Sequence, residues 1–141
     1  MGMGEGWSDA IAFILQRSSQ DTRSTDVIMG AWTMNDKKGI RSFPYSVNTL
    51  VNPLRYSDLQ SRFEVHEVGE IWANMLYEMY WNLVDKFGFS DDIFDSKQSH
   101  GNIVAIQLII GSMMVQPYSV KCLGSTVQSN ICRCQRCYTT N

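Results

Sequence analysis

Val65, Val68, Trp72, Met75, Met79 and Leu83 follow one another at intervals of three and four residues, the spacing that aligns side chains along one face of an α-helix. Ser57 and Gln60 form a capping box ahead of this stripe. Gly88, just after Lys86 and Phe87, supplies its stop. A long amphipathic helix must bury its stripe against other elements. The nearest candidate is a second helix over residues 5 to about 17, where Trp7, Ala10, Ile11 and Ile14 repeat at helical spacing. Ile103 to Val115 is apolar nearly all round and ends before Pro117, so it reads as a buried helix, with a buried strand as the alternative. The fold class expected from these segments is mainly α. Ser18 to Arg55 keeps no period, and only Val27-Ile28-Met29 suggests a short strand; a loop this long in a compact domain is usually functional. Asp91 to His100 is a polar, acidic connector.

At 141 residues the chain is one domain or a piece of a larger one, and 44% hydrophobic content suits a folded core. The formal charge of −2 comes from interspersed residues with no basic stripe, so nucleic acid is not an expected partner. No run approaches the roughly 18 apolar residues of a membrane span, and no membrane partner is expected. Ala10 to Leu15 is too short for a signal peptide and follows Glu5 and Asp9 rather than a basic region. Gly6 stands where a myristoylation signal wants Ser or Thr. Read literally from Met1, the chain would stay in the cytoplasm. The four cysteines, Cys122, Cys132, Cys134 and Cys137, permit disulfides or a metal site, but their spacing is not the paired arrangement of a zinc ribbon.

Chemistry concentrates elsewhere. Glu5 and Asp9 stand at i and i+4 on one face of the first helix. In the first turn, free backbone N–H groups and the helix dipole favour an ionised Glu5, the form that binds a cation; the same acid could merely complement the dipole. His66 lies on the long helix, with Gly69 three residues on leaving space beside the imidazole for a ligand; a solvent-exposed histidine is the alternative. His66-Glu67-x-x-Glu70 places an acid where the second imidazole of H-E-x-x-H should be, so it is not a zinc helix. His100 reads as a surface residue. Arg41, between Gly39 and the turn Phe43-Pro44-Tyr45, could donate to a substrate carbonyl or sit in a surface ion pair. The Gly2-x-Gly4-x-Gly6 lead lacks the preceding strand and following Lys of a phosphate loop. No G-x-S-x-G elbow is present, and the cysteines lack a nearby histidine.

Several blocks in order resemble one family. Gly2-Met3-Gly4-Glu5-Gly6-Trp7-Ser8-Asp9 looks like the segment that supplies the third zinc ligand in the fungalysin metalloendopeptidases. Asp21 to Asp26, Gly39 to Ser46, Asn52-Pro53-Leu54, Glu64-Val65-His66 and Trp72 to Glu78 resemble the stretches that follow it. The similarity covers about residues 2 to 117. It implies a thermolysin-like fold, with this chain as an incomplete, mainly helical C-terminal lobe. It also implies a secreted, zinc-dependent endopeptidase made as a zymogen, with a protein or peptide substrate and a propeptide partner. Under the same resemblance Glu5 is the third zinc ligand and Asp9 orients a zinc-bound imidazole. His66 stabilises the oxyanion of the tetrahedral intermediate, and Arg41 binds a substrate carbonyl.

The sequence departs from the family at three places. The H-E-x-x-H helix belongs ahead of Glu5, which only four residues precede, so the chain as written is expected to be inactive alone. Glu67 follows His66 where a small residue is usual, and Tyr118 stands where a cysteine is expected. The expected organisation is therefore a truncated peptidase lobe over residues 1–117 and a divergent cysteine-containing tail over 118–141. A non-catalytic helical remnant, or a binding module using that tail, is the competing reading.

Overall fold

The computed structural model describes residues 2–116; the expectations for the tail and its four cysteines lie outside the described residues. The described chain is mainly helical, with α1 over Met3–Leu15, a single turn α2 over Ala31–Met34, a 3-10 turn over Tyr56–Gln60, α3 over Val65–Phe87 and α4 over Gly101–Val115. Helix α3 is the spine: α1 and α4 both pack on it and touch each other. Val27 and Tyr45 form a lone antiparallel bridge, all that remains of the strand expected over Val27 to Met29.

The core is where α1, α3 and the loop between them meet. Phe13 is fully buried and lies edge-on to Tyr77 at 5.0 Å between ring centroids, with Tyr45 at 5.7 Å and Tyr80 at 6.4 Å. Edge-to-face aromatic pairs add about 0.5–1.5 kcal/mol each beyond the area they bury. Trp7 stacks edge-on against Trp72 at 5.1 Å, and its indole N–H donates to Gln116 Oε1 at 2.6 Å, tying α1 to the end of α4.

Two features of the long helix differ from the sequence reading and a third agrees with it. First, it begins at Val65, not at Ser57. Glu64 is its N-cap, its carboxylate accepting from the backbone N–H groups of His66 and Glu67, while Ser57 and Gln60 fall in the separate 3-10 turn. Second, the expected stripe is the flank of the buried arc rather than its centre. Val65 is exposed and Val68, Trp72, Met75 and Met79 are half-buried, with Leu83 the one stripe residue in the core, whereas Gly69, Ala73, Leu76, Tyr77 and Tyr80 face the interior. The interior arc carries polar Glu70 and Asn74, which an apolar-spacing rule passes over. Third, Gly88 does end the helix, with φ of 77°, a positive value that a side chain would strain.

Helix α4 forms, but it is buried on one side only. Ile103, Ala105 and Ile109 face α3, while Leu108, Ile110, Met114 and Val115 are exposed. Asn102 anchors the connector before it, accepting from Ser90 N–H at 3.0 Å and donating to Ser90 C=O at 2.8 Å. His100, expected on the surface, is half-buried at the N-cap position of α4.

Candidate functional site

Helices α1 and α3 meet backbone to backbone at Gly6 and Gly69. A Cβ on Gly69 would lie 2.7 Å from Glu5 Cβ, 2.9 Å from Gly2 O and 3.0 Å from Gly6 N. One on Gly6 would lie 2.7 Å from Gly69 O. The space left by Gly69 is thus filled by α1, not kept open for a ligand as its position beside His66 suggested. This contact brings the start of α1 against the first turns of α3, and two groups of ionisable residues result.

The outer group contains Glu5 and His66. Glu5 Oε2 lies 3.4 Å from His66 Nε2, with both side chains half-exposed. The other edge of the ring is held by Glu64, whose Oε1 is 2.6 Å from Nδ1. The bond to His66, with help from the two backbone N–H groups, keeps the Glu64 carboxyl below the usual glutamate range. Arg62 precedes the helix, and its Nη1 lies 3.7 Å from Glu70 Oε2.

The inner group is built on Asp9, one turn along α1 and almost fully buried. Arg41 donates to it twice, Nε to Oδ2 at 2.7 Å and Nη2 to Oδ1 at 3.0 Å, in a side-on bidentate pair. The Tyr45 hydroxyl also donates to Oδ2. The bond to Asp9 pushes the Arg41 guanidinium above its ordinary value, against the effect of burial. Burial, reinforced by Asp9, pushes the Tyr45 phenol up in turn. The loop carrying Arg41 and Tyr45 is pinned from α3: Ser42 N–H donates to Glu70 Oε1 at 2.9 Å and Ser46 N–H to Asn74 Oδ1 at 3.1 Å. Asn52 donates to Asn74 Oδ1 and to Pro44 C=O, closing the turn.

The fold therefore brings all four residues singled out in the sequence to one region, as two pairs: Glu5 with His66, and Asp9 with Arg41. Sequence reasoning missed Glu64, Tyr45, Glu70 and Asn74. Two signals could have found them. An acid two residues before a helical histidine matches an N-cap, and polar residues at i and i+4 inside an apolar helix face ask for buried partners.

As a metal site the region is partial. Glu5 offers one half-exposed carboxylate, chemically suited to a single coordination position. Among the described residues, no three His, Cys, Asp or Glu side chains come together to hold an ion. No helix among them is long and apolar enough to cross a membrane.

Comparison with known proteins finds extracellular metalloproteinases of similar sequence. The extracellular metalloproteinase mep of Aspergillus terreus is 48% identical over 120 residues, covering 82% of this chain and 19% of that protein. The protein of the same name in Aspergillus flavus is 43% identical over 126 residues, covering 86% of this chain and 20% of its own length. Extracellular metalloproteinase 9 of Coccidioides posadasii is 43% identical over 120 residues, covering 82% of this chain and 19% of its own length. The chain thus spans about a fifth of the length of these relatives. The sequence model of the fungalysin metallopeptidases (M36) matches residues 1–128, and the chain belongs to that family.

Proposed function

We propose that this chain is the C-terminal helical part of a secreted, thermolysin-like zinc endopeptidase, and that it completes a catalytic centre whose other donors lie elsewhere in a longer protein. The observation that carries the reading is the approach of Glu5 to His66, 3.4 Å apart on two different helices, with Asp9 one turn behind. An acid able to bind a metal and an imidazole able to stabilise an anion need to lie near each other, because the oxyanion must meet both the metal that the acid helps to hold and the imidazole nitrogen. When bound, zinc supplies a polarised carbonyl and a water acidified to a pKa of about 7.

The remaining roles belong to the chain's own side chains. Glu5 contributes one carboxylate ligand. Asp9, held rigid by Arg41 and Tyr45, keeps acceptor capacity on Oδ1 with which to orient a ligand imidazole. His66 donates from Nε2 to the oxyanion formed at a peptide carbonyl. Arg41 has Nε and Nη2 committed to Asp9, so Nη1 is the nitrogen left to meet a substrate carbonyl. The substrate class is protein or peptide, and a propeptide would cover the same face before activation. With one carboxylate donor, the 141-residue chain by itself neither holds zinc at unit stoichiometry nor cleaves peptides.

The test joins this chain to an upstream segment bearing the H-E-x-x-H helix that the family resemblance implies. Zinc content and peptide cleavage are then measured beside the isolated chain. Zinc near one equivalent and cleavage in the joined protein, both lost with Glu5→Ala, are the expected result. Full zinc in the isolated chain that disappears with Glu5→Ala would overturn the shared-centre reading. Zinc lost only on replacing Cys122, Cys132, Cys134 and Cys137 would favour a binding module built on the tail.

A further inference from the structure

Between Met29 and Ile40 the chain leaves the body of the protein and returns to it. The excursion is closed at its base by Ile40 N–H, which donates to Met29 C=O at 2.9 Å, and below that by the two 2.9 Å bonds between Val27 and Tyr45. Among the described residues, every hydrogen bond made by residues 30–39 stays within that stretch. The α2 turn inside it buries no side chain, and Trp32 is 94% exposed. Gly30, Asn35 and Gly39 have positive φ, which for Asn35 carries a cost that opening would relieve. Such a loop can open by itself, because opening breaks only its own bonds and leaves the core in place.

Lys37 and Lys38 stand side by side and exposed in this loop, followed by Gly39. Neither lysine is in an ion pair among the described residues. The neighbouring acid, Asp36, accepts instead from Lys38 N–H at 2.9 Å. We propose that Lys37-Lys38 is a processing site, where an endoprotease specific for basic residues cuts the Lys38–Gly39 bond while the rest of the fold stays assembled. The step consumes one water: the C–N bond breaks, Lys38 keeps a carboxylate and Gly39 gains an ammonium group.

A protease must draw several residues of its substrate into an extended strand, which a self-contained loop permits and a pinned segment resists. Other basic residues are poorer targets. The side chains of Arg17, Arg41 and Arg62 are mostly buried. Arg23 is held by Asp85 and Asn82, Arg55 is bonded to Asp58 at the 3-10 turn, and Lys86 lies within α3. Lys97 is the nearest competitor, but its connector is tied to α4 by Gln107, which donates to Ser96 C=O at 3.0 Å, and by Asn102.

The cut divides residues 1–38 from 39–141, and the main contacts of the molecule span that division. Asp9 lies on one side, its donors Arg41 and Tyr45 on the other. Phe13 and Tyr77, and the touching backbones at Gly6 and Gly69, also come from different pieces. The pieces should therefore remain one particle, with the new ammonium two residues ahead of Arg41. Cleavage here rests on exposure and bonding alone, whatever the chain's role in a peptidase.

The test is limited trypsin digestion of the full 141-residue chain, followed by mass spectrometry. The first cut within residues 1–116 is expected after Lys38 or Lys37. The nicked chain should leave a size-exclusion column as one peak and separate into its pieces only in urea. Lys37→Gln combined with Lys38→Gln, both at exposed positions, should slow the first cut within those residues roughly tenfold or more, since the remaining sites need larger openings. A first cut after any other basic residue of 1–116 would overturn the processing site, and so would a rate unchanged in the double variant. Pieces that come apart without urea would show that the cut dismantles the fold, which overturns the assembled product.

Discussion

Glu5 and Asp9 are two acids on the same helix, one turn apart, in opposite surroundings. Asp9 is nearly inaccessible and accepts from Arg41 twice and from Tyr45 once. Glu5 is half-exposed, with a single ionic neighbour in His66. The inner acid is a structural junction, joining α1 to the loop that α3 pins through Glu70 and Asn74. The outer acid makes only this exposed ion pair across the two helices. A carboxylate that the fold does not use for itself is one that can be committed to a ligand, which is what the proposed function asks of Glu5.

That contrast can be broken by mutation. Asp9→Ala should cost the most, about 3–5 kcal/mol in urea unfolding, because it leaves the Arg41 guanidinium buried and unpaired. A loss under 1 kcal/mol would show that Arg41 swings out to water and that the junction is not structural. Gly69→Ala should cost about 1–3 kcal/mol, since a methyl there forces α1 away from α3. It should also widen the Glu5–His66 approach, detectable as loss of contacts between them in NMR.

Tyr45→Phe should cost about 1 kcal/mol by leaving Asp9 one bond short. The same residue predicts an alkaline limb. Its native pKa is raised above the ordinary 10.0, so the unfolded chain releases that proton first; its contribution is complete below pH 10 and is lost as pH rises beyond it. Tyr77 and Tyr80, raised by burial, act in the same direction. Stability should therefore fall on titration above pH 10, less steeply in Tyr45→Phe. The smallest effect is expected from Glu5→Ala, within about 0.5 kcal/mol, as for other exposed ion pairs. A cost of several kcal/mol there would erase the distinction between the two acids.

Much of this arrangement can be read from the sequence, and the failures share a cause. Helical spacing found α1, α3 and α4, and the i, i+4 acids and His66 pointed to the region taken as the candidate site. Periodicity sees apolar side chains, so it followed Val65, Trp72 and Met79 along the flank and passed over the polar residues on the buried arc. Glu70 and Asn74 are buried because loop amides from Ser42 and Ser46 reach them, contacts 28 residues distant in sequence. Ser57 and Gln60 satisfied a local capping rule, yet the chain caps at Glu64, whose carboxylate meets two amides and an imidazole together. Local rules cannot rank such competitors when the deciding partner is another element. For α4, apolarity all round suggested burial all round, but α1 and α3 supply only enough surface to cover one side of it.

The glycine contact between α1 and α3 has one more effect. Where helices pack through side chains, their separation adapts as those side chains change size, and any group carried on them drifts accordingly. At Gly6 and Gly69 the backbones themselves touch, and covalent geometry sets the gap. The distance from Glu5 to His66 is therefore insulated from substitutions in the rest of the core. Phe13, Leu76 or Ile109 could be exchanged for other shapes, at a cost in stability, without retuning the spacing at the helix ends.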